Sequence, residues 1–409
     1  MRFNLTNDVP IKPLDISIAL TVLVYIFVCV RNKKFPNITI NNTVALFGVI
    51  GILSLLVNYS SFTPIQIFSS ALYLVRWFAY LAIYFIIIEF DSEFKKKILK
   101  ILFVDGLIIL LAGFIQYFLY PNLRNLYYLG WDEHNYRMFS TFLDPNFAGA
   151  FFVLFLIFLL GLLRNELYIR HSGKRGTSAS RISKSFMISA ESDSGQARMT
   201  IKGISLLFLL GINLTSIFLT YSRSAILMLI SSSIVYLVLI SKKKFIIILP
   251  IILLAAFFVL LPTFNKENTN LFRKTSSFAR IDSYTNAVKI IKDHPFLGVG
   301  FNTYRYSQIS YGFKSQNTKY QNHADAGVDN SFLFVLATMG ISGLGVYLYL
   351  WKKLIEKNYM LFIQKNNIFS LMFITGAIGL FVDSFFINSL FYSPIMFWIW
   401  TLAAVSESY

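Results

Sequence analysis

Apolar runs of roughly membrane-crossing length recur from one end of this chain to the other, and nothing else constrains its fold so tightly. A helix needs about 20 such residues to cross the hydrocarbon of a bilayer. Runs fall at 14–30, 44–57, 66–88, 101–119, 146–163, 203–220, 225–240, 245–261, 330–350, 368–388 and 391–406, several of them at the short end of that range. They predict an all-α polytopic membrane protein with about 11 (10–12) transmembrane helices. Only 14% of the 409 residues are charged, against about 25% in soluble domains. The 17% of aromatic residues suits lipid-facing surfaces and interfacial belts. The first run is followed by no small-residue cleavage site, so it reads as a span rather than a removable signal. Cys29 lies alone inside it, which excludes an internal disulfide and suggests no metal cluster.

The formal charge of +17 would fit a nucleic-acid binder, but its distribution points elsewhere. Lys and Arg gather in alternate connections: "RNKK" at 31–34, "KKKILK" at 95–100, the 164–202 loop, "SKKK" at 241–244 and "WKKLIEK" at 351–357. The short segments of the opposite side hold only Arg2, Lys12, Arg124, Arg137 and Arg223. The positive-inside rule makes the first set cytoplasmic, with the C-terminus inside and, for eleven spans, the N-terminus outside. Three regions follow. Residues 1–261 carry helices one to eight, 262–329 form a large extracytoplasmic loop, and 330–409 carry helices nine to eleven. The basic Ser- and Gly-rich loop at 164–202 reads as disordered chain near anionic head groups, with no catalytic role. The outer loop is different. Phe278, Ile281, Tyr284, Val288 and Ile291 recur at helical spacing over 277–292, and "DHPFLGVG" then ends the helix. A long patterned loop is usually functional. It also holds nine Lys/Arg against five Asp/Glu, on the side where positive charge is normally depleted.

Candidate residues cluster on that outer side. Arg223, in "FLTYSRSAILMLI", interrupts two apolar runs; a guanidinium at a bilayer centre costs about 2.5 kcal/mol or more. It is either an interfacial arginine at a tight turn or a cation held for an anionic head group. Arg280 sits in the first turn of the expected loop helix, where positive charge opposes the macrodipole. "GVGFNTYRY" adds Asn302 and Arg305 beside Gly298 and Gly300, glycines that let backbone amides approach a ligand or simply mark a turn. Asp329 and Asn330 stand where the ninth span begins. Asp329 is a helix cap on local chemistry, or else a carboxylate able to take a proton from a sugar hydroxyl. His323 is a competing base or a solvated loop histidine. Arg137, Asp144 and Asn146 precede the fifth span, and Asp-Pro-Asn suffices as helix-start chemistry. Arg76 and Asp383 are ionisable groups at membrane depth, and a structural pair between them is the default expectation.

Taken together, "TYSRSAILML", "ARIDSYTNAVKIIKDHPFLGVGFNTY" and "DNSFLFVLATMGISGL", with "FLDPNFAG" upstream, resemble the O-antigen ligase/polymerase (WaaL and Wzy) family of membrane glycosyltransferases. The resemblance covers about residues 136 to 350. It implies a GT-C-like helical fold in the bacterial cytoplasmic membrane, with the active site facing outside. It also implies a glycan on undecaprenyl pyrophosphate as donor, with no nucleotide sugar and no metal. Arg223 and Arg280 fall on the family arginines that grip the pyrophosphate. Asp329 falls where ligases carry a histidine as base, a departure that leans towards a polymerase of O-antigen, capsule or exopolysaccharide repeat units. Arg305, Asn302, Asn330, Arg137, Asn146 and His323 are then substrate-binding candidates. The partners implied are lipid-linked donor and acceptor and the membrane lipids, with a chain-length regulator left open and no nucleic acid. Alternatives are a ligase that transfers the glycan to lipid A core or protein, and a lipid-linked oligosaccharide transporter. The last would show repeat symmetry between halves, and no internal repeat is visible.

Overall fold

The computed structural model describes residues 3–6, 9–33, 40–173, 201–240, 275–314 and 326–407. Two short strands, β1 (Phe3–Thr6) and β2 (Val9–Ile11), pair antiparallel ahead of the helices, a feature that apolar periodicity did not foresee. The N-terminal helices are α1 (Pro13–Asn32), α2 (Asn41–Val57), α3 (Pro64–Ile88) and α4 (Ser92–Leu119). Next come α5 (Pro145–Gly173), α6 (Ile201–Leu219) and α7 (Arg223–Ile240). The loop region supplies α8 (Thr275–Asp293) and α9 (Tyr304–Ser310). The chain closes with α10 (Ser331–Lys365), α11 (Ile368–Asp383) and α12 (Ser393–Ser406).

Among the described residues, six helices are long and apolar enough to cross a membrane: α1, α3, α4, α5, α7 and α10. Four more (α2, α6, α11 and α12) are shorter apolar helices. Ten of the eleven expected runs therefore fall on helices; the run at 245–261 lies outside the described residues. Boundaries differ at the basic ends. α4 already begins at Ser92, α5 continues to Gly173 and α10 continues to Lys365, so "KKKILK" and "WKKLIEK" ride on helical extensions rather than loops.

Local chemistry sets the helix starts. Thr63 and Gln66 form a capping box ahead of Pro64, which needs no N–H there. Asp91 caps α4 and Asn367 caps α11 through backbone N–H groups. The core then sorts the helices. α1 exposes Leu20, Leu23, Val24, Phe27 and Val30, the pattern of a lipid-facing helix, whereas α5 and α11 are buried over most of their length. α11 packs on α7 closely enough that a Cβ on Gly379 would collide with the Ser232 hydroxyl.

Hydrogen bonds between helix termini divide the connections between two ends. Glu407 meets Tyr84 and Lys357 at one; Asn58 meets Gly298, Asn330 meets Phe385 and Tyr392 meets Phe142 at the other. One end carries Arg31, Lys95, Lys96, Lys97, Lys100, Lys352, Lys353, Lys357 and Lys365. The other gathers 58–63, 120–144, 220–222, α8, α9 and 384–392. The candidate site residues within the described chain, from Arg137 to Asn330, belong to or adjoin this second end.

The expected pairing of Arg76 with Asp383 is not made. β2 and the start of α1 both pack on α3, so Arg76 donates to the Pro10 carbonyl at 2.6 Å and pairs with Asp15 at 3.4 Å. Asp383 ends α11 on the side facing α7.

Candidate active site at the loop end of the bundle

The turn between α6 and α7 is three residues long. Tyr221 takes a left-handed φ of 48°, and Ser222 caps α7 by accepting the Ala225 N–H at 3.4 Å. That leaves Arg223 as the first residue of α7, half-buried, with its positive charge against the helix dipole. Arg137 holds the turn from behind. It is buried, donating from Nε to the Thr220 carbonyl at 2.8 Å and from Nη2 to Asn146 Oδ1 at 3.3 Å and the Tyr221 carbonyl at 3.4 Å. A cation suits those carbonyls at the end of α6. Asn146 Oδ1 also accepts the Ser222 hydroxyl at 3.0 Å, and Ser222 lies 3.1 Å from the Ser224 hydroxyl. Arg137 and Asn146 thus shape the turn that carries Arg223, with their polar atoms engaged by protein.

Asp144 accepts the Asn146 N–H at 2.7 Å and starts α5. Burial raises its carboxyl above the ordinary carboxylate range, while the Asn146 and Phe147 amides and the Arg137 and Arg280 guanidiniums pull the other way. Asp383 is fully buried nearby. Its carboxyl faces Ser224 and Ser389, yet neither oxygen completes a hydrogen bond.

Helix α8 lies across this arrangement, anchored by Ala287 and Ile290, which are fully buried. Its orientation corrects the expected apolar face. Tyr284 and Ile291 pack on the core, but Phe278, Ile281 and Val288 are exposed. The inward face thereby includes Arg280, which falls in the second turn of α8 because the helix begins at Thr275. Arg280 lies within electrostatic reach of Arg223, Asp144, Asp383 and Tyr284. One turn on, the Tyr284 hydroxyl donates to the Phe385 carbonyl and, at 3.2 Å, to the Asp329 carbonyl. Burial pushes that hydroxyl up, so it stays a donor across physiological pH. Tyr284 therefore joins the arginine on one side to Asp329 on the other.

The cap of α10 belongs to Asn330, not to Asp329. Asn330 Oδ1 accepts the Phe332 and Leu333 N–H groups, both at 2.9 Å, and its Nδ2 donates to the Phe385 carbonyl at 3.1 Å. Asp329 is half-buried, its N–H donating to the Ser283 hydroxyl at 3.4 Å. Its carboxylate charge reaches Tyr284 and Tyr304.

The glycine segment is engaged elsewhere. α10 breaks at Gly340, with φ 66° and ψ −169°. Segment 295–300 replaces the lost helical bonds: Val299 and Gly300 N–H donate to the Ala337 and Thr338 carbonyls at 3.0 Å each, and Ile341 N–H donates to the Pro295 carbonyl at 2.9 Å. These amides dock the loop onto α10 and are not left to meet a ligand. Asn302 follows at φ 58°, its carbonyl accepting from Ser70 at 3.4 Å. Arg305 is half-buried on α9. His323 lies outside the described residues. Among the described residues no three His, Cys, Asp or Glu side chains converge in a metal-binding group.

Residues 204–348 match the family model Wzy_C, described as O-antigen ligase. The chain carries an O-antigen ligase family domain. It runs from α6 into α10 and includes Arg223, Arg280, Asn302, Arg305, His323, Asp329 and Asn330, whereas Arg137, Asn146 and Asp383 pack on it from outside the match. Together with its apolar helices, the matched domain fits a multi-pass membrane protein. No curated protein matches the chain.

Sequence reading missed four residues of this site: Ser222, Ser224 and Tyr284 as polar parts, and Asp383 as a neighbour of Arg280. Ser222 and Ser224 flank Arg223 in "YSRS", and Tyr284 stands one turn from Arg280, signals present in the sequence. Asp383 is distant in the chain and had no such signal.

Proposed function

We propose that the chain polymerises undecaprenyl-pyrophosphate-linked oligosaccharide repeat units at the outer face of the bacterial cytoplasmic membrane. The observation that carries this reading is the convergence of two half-buried guanidiniums, Arg223 and Arg280, within electrostatic reach of each other. Like charges brought together in a partly desolvated site repel, and a dianionic pyrophosphate relieves that repulsion. In the reaction, an acceptor sugar hydroxyl attacks the anomeric carbon of the donor glycan. The new C–O bond forms as the bond to pyrophosphate breaks, and the departing oxygen takes the electron pair. Both arginines stabilise the charge that develops there. The hydroxyl proton passes to the Asp329 carboxylate, with inversion at the anomeric carbon. An aspartate at the position where ligases carry histidine favours polymerase over ligase. The positive-inside distribution supports an outward-facing site.

Arg223→Ala and Arg280→Ala should each abolish polymer in a strain lacking the native gene, with protein level unchanged. Arg→Lys should recover little, because an ammonium cannot reproduce a bidentate fork on phosphate. Normal polymer from both alanine variants would falsify the clamp.

A further inference from the structure

Part of the outer loop lies too deep in the bundle for a surface loop. Helix α8 runs beside the first part of α10. The Tyr284 hydroxyl donates to the Asp329 carbonyl just ahead of α10, and beyond the foot of α8 the Pro295 carbonyl accepts the Ile341 N–H. Ile341 stands ten residues past Ser331, where α10 begins. That is about 15 Å along a helix, half of a roughly 30 Å hydrocarbon core. The apolar run of α10, from Ser331 to Lys352 and Lys353, fills such a core once. Helix α2 marks the same depth from the other side. Its Thr43 hydroxyl accepts from Lys353 at 3.2 Å. Its far end meets the loop, where Asn58 donates to the Gly298 carbonyl and the Phe301 N–H donates to Ser54, both at 3.0 Å. With 17 residues, α2 covers about 25 Å and stops short of a full crossing. Segment 295–301 occupies the remainder.

The surface of α8 fits that depth. Ala287 and Ile290 face the bundle; on a second edge Asp293 accepts the Tyr311 hydroxyl at 2.7 Å and Lys289 lies over the Phe313 ring. The third edge is apolar and exposed. Phe278, Ile281 and Val288 are 61%, 57% and 41% exposed and fall within about 80° of one another at 3.6 residues per turn. Phe296, 74% exposed, continues this stripe below, and Ile341 and Leu348 carry it on down α10, a helix long and apolar enough to cross a membrane. We propose that the outer loop re-enters the membrane along α10, and that Phe278, Ile281, Val288 and Phe296 contact the acyl chains of the outer leaflet. Irregular backbone at that depth requires partners within the protein, and the amides of Val299, Gly300 and Phe301 have them. Lys292 shares the stripe near its foot. Helical side chains lean towards the N-terminus, here outwards, so its ammonium reaches back towards the head groups. The inference uses no chemistry of Arg223 or Arg280 and stands apart from the clamp.

Nitroxide labels on single cysteines test this in the full chain, reconstituted in phosphatidylcholine and phosphatidylglycerol vesicles. Cys29→Ser removes the one native cysteine; Phe278→Cys, Ile281→Cys, Val288→Cys and Phe296→Cys then carry the label in turn. Power saturation compares oxygen, which concentrates in hydrocarbon, with a water-soluble nickel chelate. Oxygen should relax all four labels several-fold more strongly than nickel, and the ratio should rise from Ile281→Cys through Val288→Cys to Phe296→Cys. Asp282→Cys, outside the stripe near the top of α8, should favour nickel. Nickel access along the stripe equal to that at Asp282→Cys shows an aqueous face and overturns the proposal. Low access to both reagents shows a face covered by protein, a second copy or another chain, and overturns it as well. Equal ratios at Ile281→Cys and Phe296→Cys lay α8 flat on the surface and remove the re-entry. If Phe296→Cys does not accumulate, Val288→Cys against Ile281→Cys decides the depth.

Discussion

Asp329 and Asn330 are adjacent, and the structure separates their work. Both are good caps by residue type. The cap goes to Asn330, whose Oδ1 receives the two N–H groups at the start of α10, so the capping role that suited either residue falls to the second. Asp329→Asn should therefore leave protein level and thermal stability in detergent unchanged. Removal of a general base typically costs about 10²- to 10⁴-fold, so polymer from this variant should be nearly absent. Polymer of full length and amount would remove Asp329 from the chemistry and direct attention to His323. Arg137 illustrates the reverse case. A substrate-binding candidate by sequence, it has a structural role that the sequence did not show, donating to the Thr220 and Tyr221 carbonyls that shape the Arg223 turn.

Among the elements, α10 and the segment before α9 depend on each other. Neither would be satisfied alone, because a helix broken at membrane depth exposes backbone groups that lipid cannot pair. Segment 295–300 supplies the partners, and the left-handed φ of Gly340 makes room for it. A Cβ on Gly340 would collide with the Phe296 backbone, which cannot yield as a side chain can. Gly340→Ala should consequently prevent accumulation of folded protein. Gly312 also has positive φ, 71°, but a Cβ there meets nothing, so Gly312→Ala should cost only about 1–2 kcal/mol. Yield of folded protein in detergent compares the two; similar yields would show that conformational strain, not loop docking, governs both. Helix α8 shows how far periodicity reached. Its existence was legible in the spacing of Phe278, Ile281, Tyr284, Val288 and Ile291. Its rotation was not, because the fully buried residues are Ala287 and Ile290; alanine carries little weight in an apolar pattern, and Ile290 stands beside Ile291, which fits either face.

For the whole molecule, basic residues collect at one end of the bundle and the arginine pair lies at the other. Reporter fusions within 164–202 and at the C-terminus should report cytoplasm, and fusions within 262–329 the outside. An outward 164–202 segment would reverse the orientation and put the site in the wrong compartment for a lipid-linked donor. The sequence by itself determined the membrane class, ten of the helices, the division of charge between the two ends, and the family domain with its two arginines. These follow from properties carried locally: transfer of apolar residues into hydrocarbon, loop charge, and short motifs. Only the tertiary structure decided which residues surround Arg280. Asp383 lies about a hundred residues further along the chain, and it reaches the site because α11 packs against α7 through Gly379 and Ser232. Likewise, Arg76 takes Asp15 as its partner because α1 packs against α3. Pairing between distant charges depends on which helices touch and at what height, and no local pattern in a single sequence records that.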